Sequence, residues 1–309
     1  EGSFSLDNVI FSQGEKELSM SNLSISASVL PGENKKLSVY SDYINGYIKG
    51  KYALTTLPAF FHNIAHQYLP AVVKDEKKVV SKNGRINNFS YDFSIENLEP
   101  IYDVYPMPIV VEDEAKLKGF VNELTHKFRV RLEAPYVKKG GATLQNLVFL
   151  CENPYDQLKL MCRMDYHPKN TSRRPYYLSL NTDAKNNDVN VNFNFSNSVE
   201  ETYSGKVKLE TLFKDYVKGE GLTADIHISP SHIILNDTIW TIKESTIALD
   251  KKWISVDSFI FSHGTQFLYV NGVNSSVASD SINVHFSDLY LGYISDIIAN
   301  DDISFNGVA

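Results

Sequence analysis

Apolar and polar residues alternate in twos along most of this chain, most clearly from Ser231 to Val273, SHIILNDTIWTIKESTIALDKKWISVDSFIFSHGTQFLYVNGV. Ile233/Leu235, Ile239, Ile242, Ile247/Leu249, Ile254/Val256, Phe259/Phe261 and Leu268/Val270 hold the apolar positions. Asn236-Asp237, Asp250-Lys251-Lys252, Asp257-Ser258 and His263-Gly264 interrupt them. A period of two gives each strand one apolar face and one polar face. Short strands with frequent breaks and no intervening helical pattern predict antiparallel meanders rather than βαβ units. The expectation is an all-β chain with a few short helices.

Two devices recur along it. The first reads apolar, x, apolar, polar, Asn or a relative, apolar, x, apolar. It occurs at Phe4–Phe11, Leu18–Ile25, Phe93–Pro100, Ala142–Phe149, Ile254–Phe261 and Val284–Leu291. Its polar pair shifts the alternation by one residue, as a β-bulge or corner does. The second puts glycine inside a strand, at Ile48-Lys-Gly50-Lys-Tyr52, Leu117-Lys-Gly119-Phe-Val121 and Tyr203-Ser-Gly205-Lys-Val207. Interior glycine marks a kink or a close backbone approach. Repetition of both devices predicts an elongated repeat array.

The clearest helix spans Leu57 to Leu69, with Thr56 as N-cap, Pro58 in the first turn and Pro70 as its stop. Leu57, Phe60, Phe61, Ile64, Ala65 and Tyr68 form its apolar stripe. Lys208–Val217 and Leu291–Ala299 are shorter helical candidates. Ala115–Leu124 reads as strand because of Gly119, and Pro100–Pro108 as a connector without regular structure, dividing possible sub-sections 1–108 and 109–309.

Length, 309 residues, allows two ordinary domains or one elongated β architecture. A net charge of -7 argues against nucleic acid, and the one local basic cluster, Lys74–Lys82, also contains Asp75 and Glu76. No apolar run approaches the ~20 residues that span a bilayer. Both ends read as strands, which predicts a segment cut from a longer repetitive chain. Cys151 and Cys162 each end an apolar alternation beside the turn Glu152–Asp156. They read as small hydrophobes on paired strands, with a cross-strand disulfide as the alternative.

Candidate chemistry is sparse. His62 and His66 stand four apart on the predicted helix, but Asn63 occupies the place where a zinc-protease motif needs Glu, and both rings fall opposite the apolar stripe. Gly140-Gly141 reads as a hairpin turn, and Asp250 and Asp257 as turn and bulge residues. No nucleophile elbow, phosphate loop or dinucleotide fingerprint occurs, so a non-enzymatic chain without cofactor or metal is expected.

Four stretches together, Val39–Pro70, Gln145–Tyr166, Ile228–Trp240 and Ile254–Ile298, give the chain a resemblance to the TamB/AsmA-like family of Bacteroidota. That resemblance implies an internal segment of a periplasmic cell-envelope protein, anchored in the membrane outside this stretch. It implies a sheet curled into an open trough, a β-taco, with an apolar concave face. It also implies movement of phospholipid or another acyl-chain lipid between inner and outer membranes. As a runner-up, it implies a scaffold that assists outer-membrane protein assembly by β-augmentation, with a β-barrel of the TamA/Omp85 type as partner.

Parity within each strand nominates the residues that would line such a groove. In the first half these are Phe4, Leu6, Leu23, Ile25, Leu147 and Phe149, followed by Leu178, Leu180, Val191, Phe193 and Phe195. Further along come Ile247, Leu249, Ile254, Val256, Phe259, Phe261, Leu268, Val270 and Val284. The same positions would equally form the core of a sealed sandwich. The helix at Leu57 would close one section of the trough, as a plug or a gate. A carbohydrate-binding sandwich would need an aromatic platform, for which Tyr166, Tyr176 and Tyr177 are the one cluster.

Overall fold

The structure is a computed structural model and describes residues 1–74, 77, 86–169, 175–197, 202–214, 222–289 and 307–308. Strand accounts for 66% of it and helix for 10%, in twenty strands that pair antiparallel, as the alternation predicts. The chain divides into two compact units, Glu1–Ile64 with Glu76–Lys169, and Ala65–Asp75 with Asn170–Ala309. Residues 100–108 lie inside the first.

The first unit contains β1 (Gly2–Gln13), β2 (Lys16–Leu30), β3 (Asn34–Ser41), β4 (Ile44–Lys51) and the start of α1 (Leu57–Tyr68). After them come β5 (Asn88–Ile95), α2 (Glu99–Val104), β6 (Val110–Val111), β7 (Ala115–Asn122), β8 (Lys127–Lys139), β9 (Ala142–Glu152) and β10 (Leu158–His167). Its ladder runs β1-β2-β3-β4-β5-β7-β8-β9-β10, with β6 added to the far end of β8. A small core of Ala115, Ala134 and Val137, with Val111 of β6 packed against it, sits at the end of β8 that pairs with β6.

The second unit contains β11 (Tyr176–Lys185), β12 (Asp188–Ser196), β13 (Tyr203–Phe213), β14 (Ala224–Ile228) and β15 (Ser231–Leu235). It continues with β16 (Thr238–Ile242), β17 (Ser245–Asp250), β18 (Trp253–His263), β19 (Gln266–Ser275) and β20 (Ile282–Ser287). The long strand β13 pairs with β14 along one half and β15 along the other, and β18 receives β17 and β16 in the same way. Trp240, fully buried, anchors the core here with Ile228, Ile233, Leu235, Ile242 and Leu289, its ring stacked on Phe261 at 4.8 Å.

The repeated polar pair behaves as a local change of twist. Its fifth residue has positive φ in Asn8 (53°), Asn146 (52°), Ser258 (53°) and Asp288 (50°). At Ser258 the β18–β19 register slips by one between Val256 and Phe259, so the apolar pairs on both sides of the bulge stay on one face. Asn236-Asp237 and Gly140-Gly141 turn with positive φ at both central positions, the geometry that two-residue hairpins favour. Asp250 and Asp257 are turn and bulge residues as expected, accepting from the Lys252 amide (3.2 Å) and the Ser258 hydroxyl (2.9 Å).

Three expectations change. Pro100–Pro108 is not without regular structure, since α2 begins at Glu99. The Asn97 carboxamide accepts from the Glu99 amide (2.8 Å), and Pro100 falls in the first turn, where its missing N–H costs nothing. Lys208–Phe213 is the second half of β13 rather than helix, because Leu209 and Thr211 are claimed on both sides, by β12 and β14. Residues 215–217 and the candidate helix Leu291–Ala299 lie outside the described residues. Thr56 is not an N-cap: it closes a 3-10 turn, its hydroxyl donating to the Ala53 carbonyl at 2.8 Å.

Candidate functional site

In antiparallel pairs, residues directly opposite each other share a face of the sheet. In the first unit this aligns one row across nine strands: Phe4, Ile25, Val39, Gly46, Phe93, Leu117, Leu132, Phe149 and Cys162. Two residues along the strands lies a second row, Ala27, Leu37, Ile48, Tyr91, Gly119, Val130, Cys151 and Leu160. Neither row contains a charged side chain. The intervening positions, on the other face, pair as Ser3–Ser26–Ser38–Tyr47–Asp92–Lys118–Arg131. One face of this sheet is therefore apolar and the other polar through most of its width. The apolar face is only partly covered. Phe4 is 53% exposed and Ile25 36%, and the remaining side chains of the first row are half-buried.

Glycine shapes this face at Gly119. An added Cβ there would fall 2.6 Å from the Tyr91 hydroxyl, which passes over the glycine to donate to the Arg129 carbonyl at 3.1 Å. Burial pushes the Tyr91 phenol up to about 12, with the Cys151 thiolate as a lesser cause. Burial also raises both thiols, and the Glu152 carboxylate adds to the rise at Cys151. The cysteines are free and half-buried on paired strands: Cys151 stands opposite Leu160 and Cys162 opposite Phe149, so they are diagonal neighbours. Residues so offset sit ~7–8 Å apart, beyond comfortable disulfide reach.

The lining candidates pair across strands with other apolar residues. In the first unit Phe4 faces Ile25, Leu6 faces Leu23, Leu147 faces Ala134 and Phe149 faces Leu132. In the second, Leu178 faces Phe195, Leu180 faces Phe193 and Val191 faces Leu209. Ile247 faces Val256, Leu249 faces Ile254, Phe261 faces Leu268, and Phe259, Val270 and Val284 form one row. Their surroundings differ. Phe195, Ile247, Phe259, Phe261 and Leu268 pack against the buried Trp240 cluster, whereas Val284 is 49% exposed. Val39, Phe93, Leu117 and Leu132, which complete the row from Phe4 to Cys162, are not among those candidates. Their strands alternate clearly, as Phe89/Tyr91/Phe93/Ile95 shows, so the signal was present.

The remaining candidates have ordinary surroundings. His66 is half-buried rather than solvated, its Nδ1 donating to the Val73 carbonyl at 2.5 Å to hold the turn after α1, and His62 is half-buried too. Among the described residues no group of three or more His, Cys, Asp or Glu is placed to hold a metal, and no helix is long and apolar enough to cross a membrane. Tyr166 and Tyr176 are half-buried and Tyr177 is 39% exposed. No protein-family model, curated protein or solved structure matches the chain.

Proposed function

We propose that this chain is a non-enzymatic segment of a cell-envelope protein whose apolar sheet face carries acyl-chain lipid between the inner and outer membranes. The sheet would curl into a trough with that face on its concave side. The observation that carries the reading is the uncharged row from Phe4 to Cys162, partly exposed along its length and backed by a Ser/Lys/Arg/Asp face. At ~4.8 Å per strand, eight spacings give a track of about 38 Å. Acyl chains suit such a track: burial yields about 25 cal/mol per Å2 and imposes no fixed geometry, so a chain is held yet slides. The resemblance to the TamB/AsmA-like family points the same way and supplies the periplasmic setting.

The second reading, a scaffold for outer-membrane β-barrel assembly, draws on β1. Among the described pairings β1 bonds only to β2, and eleven of its twelve residues are exposed, the layout of an edge that could receive another strand. Asp introduced together at Ile25, Leu117 and Phe149 separates the two. These side chains are half-buried or exposed, so the fold tolerates the change better than it would at the Trp240 core. The triple variant is expected to lose co-purified lipid, measured by mass spectrometry of solvent extracts. Wild-type lipid content in a folded triple variant rejects the trough and leaves the edge-strand reading.

A further inference from the structure

A third row crosses the same face of the first unit, and it is covered. Phe89, Val121 and Phe128 are aligned by register and buried, with exposures of 6%, 2% and 4%. What lies over them comes from the same chain. The Phe61 ring of α1 meets Phe128 edge-on at 5.3 Å, Phe60 meets Phe61 at 5.3 Å, and Tyr52 meets Phe89 at 6.1 Å. Phe60 and Ile64 are themselves buried. Phe61 of α1 and Tyr52 ahead of it thus take the ring contacts of this row as an apolar ligand would.

The entry to α1 is pinned by one buried carboxamide. Asn87, fully buried, accepts from the Ala53 amide (2.8 Å) and donates to the Thr56 hydroxyl (2.8 Å) and to Glu123 Oε2 (3.0 Å). Glu123 Oε2 also accepts from the Asn87 amide at 2.7 Å, and the Glu123 amide donates to the Asn87 carbonyl at 2.8 Å. The turn leading into the helix, the start of β5 and the β7–β8 turn are tied at one point. A helix meant to swing aside would need this network broken, and breaking it leaves buried polar groups unpaired.

We infer that α1 is a fixed stopper that ends the lipid track of the first unit, confining acyl chains to the two rows that pass through Phe93 and Tyr91 and excluding them from Phe89, Val121 and Phe128. This rests on the lipid reading above and replaces the idea of a gate. The test uses the unmodified protein, palmitate carrying a photoactivatable diazirine, and mapping of adducts by mass spectrometry, with amide hydrogen exchange recorded with and without palmitate. Adducts are expected around Phe93, Leu117, Leu132 and Tyr91 and absent from Val121 and Phe128, while the α1 amides stay protected in both states. Adducts at Val121 or Phe128, or faster α1 exchange on adding palmitate, overturn the stopper and leave the lipid reading standing. Adducts on neither set, with α1 still protected, overturn the lipid reading and with it the track that α1 would end.

Discussion

Replacing Asn87 with Ala tests the network that holds α1. The side chain serves three partners. Of these, the half-buried Ala53 amide loses its acceptor, which costs about 1–3 kcal/mol. Thr56 keeps its bond to the Ala53 carbonyl, and Glu123 Oε2 keeps the Asn87 amide, so each loses one bond of two, about 0.5–1.5 kcal/mol apiece. Because the three share one network, their losses do not simply add, and the expected destabilisation is about 2–4 kcal/mol. Urea unfolding at neutral pH measures it as a lower midpoint at unchanged slope. Asn181→Ala, at an exposed residue, serves as the control and should stay within about 0.5 kcal/mol of wild type. Amide exchange at Ala53 and Thr56 should accelerate more than in the Trp240 core. If Asn87→Ala unfolds at the same urea concentration as Asn181→Ala, the carboxamide does not hold the helix.

Two further outcomes follow from local geometry. At Ser258, φ of 53° is unfavourable for any side chain and worst for a β-branched one, so Ser258→Gly should be neutral or stabilising and Ser258→Val should destabilise by about 1–2 kcal/mol, read as opposite shifts in Tm. Tyr91 keeps its proton in the folded chain up to about 12, against an ordinary value of 10.0. Between those pH values the unfolded chain has lost the proton and the folded chain has not, so stability falls as pH rises through that window. Tyr91→Phe should flatten this part of the alkaline unfolding profile, and an unchanged profile would show that Tyr91 does not cause it.

Strand content, the hairpin turns and the bulges were legible because each depends on neighbours in sequence. Alternation placed the strands of the second unit, and the Asp-Ser or Asn pair marked where it shifts. The bulge pattern also shows its limit. Asn22 and Asn97 occupy the same position without positive φ: Asn22 bonds across to Asp7, and Asn97 starts α2. A short polar side chain can serve several backbone arrangements, and the choice depends on what the next strand offers. Lys208–Phe213 has fair helical pattern alone and becomes strand because neighbours on both sides use its backbone. Parity assigns residues to a face within one strand, but register between strands is a long-range property. The alternation of Phe93, Leu117 and Leu132 within their own strands was legible, but their alignment into one row became visible only in three dimensions. The same holds for Trp240, whose cluster turns part of the nominated lining into a packed core.

Native mass spectrometry of the wild-type chain, purified without detergent, bears most directly on whether the partly exposed apolar row carries lipid. If the row carries lipid, masses above that of the protein alone appear that correspond to bound diacyl lipid and disappear on solvent extraction. A single peak at the mass of the 34.9 kDa chain, from protein that is folded and was expressed in the presence of lipid, would contradict it.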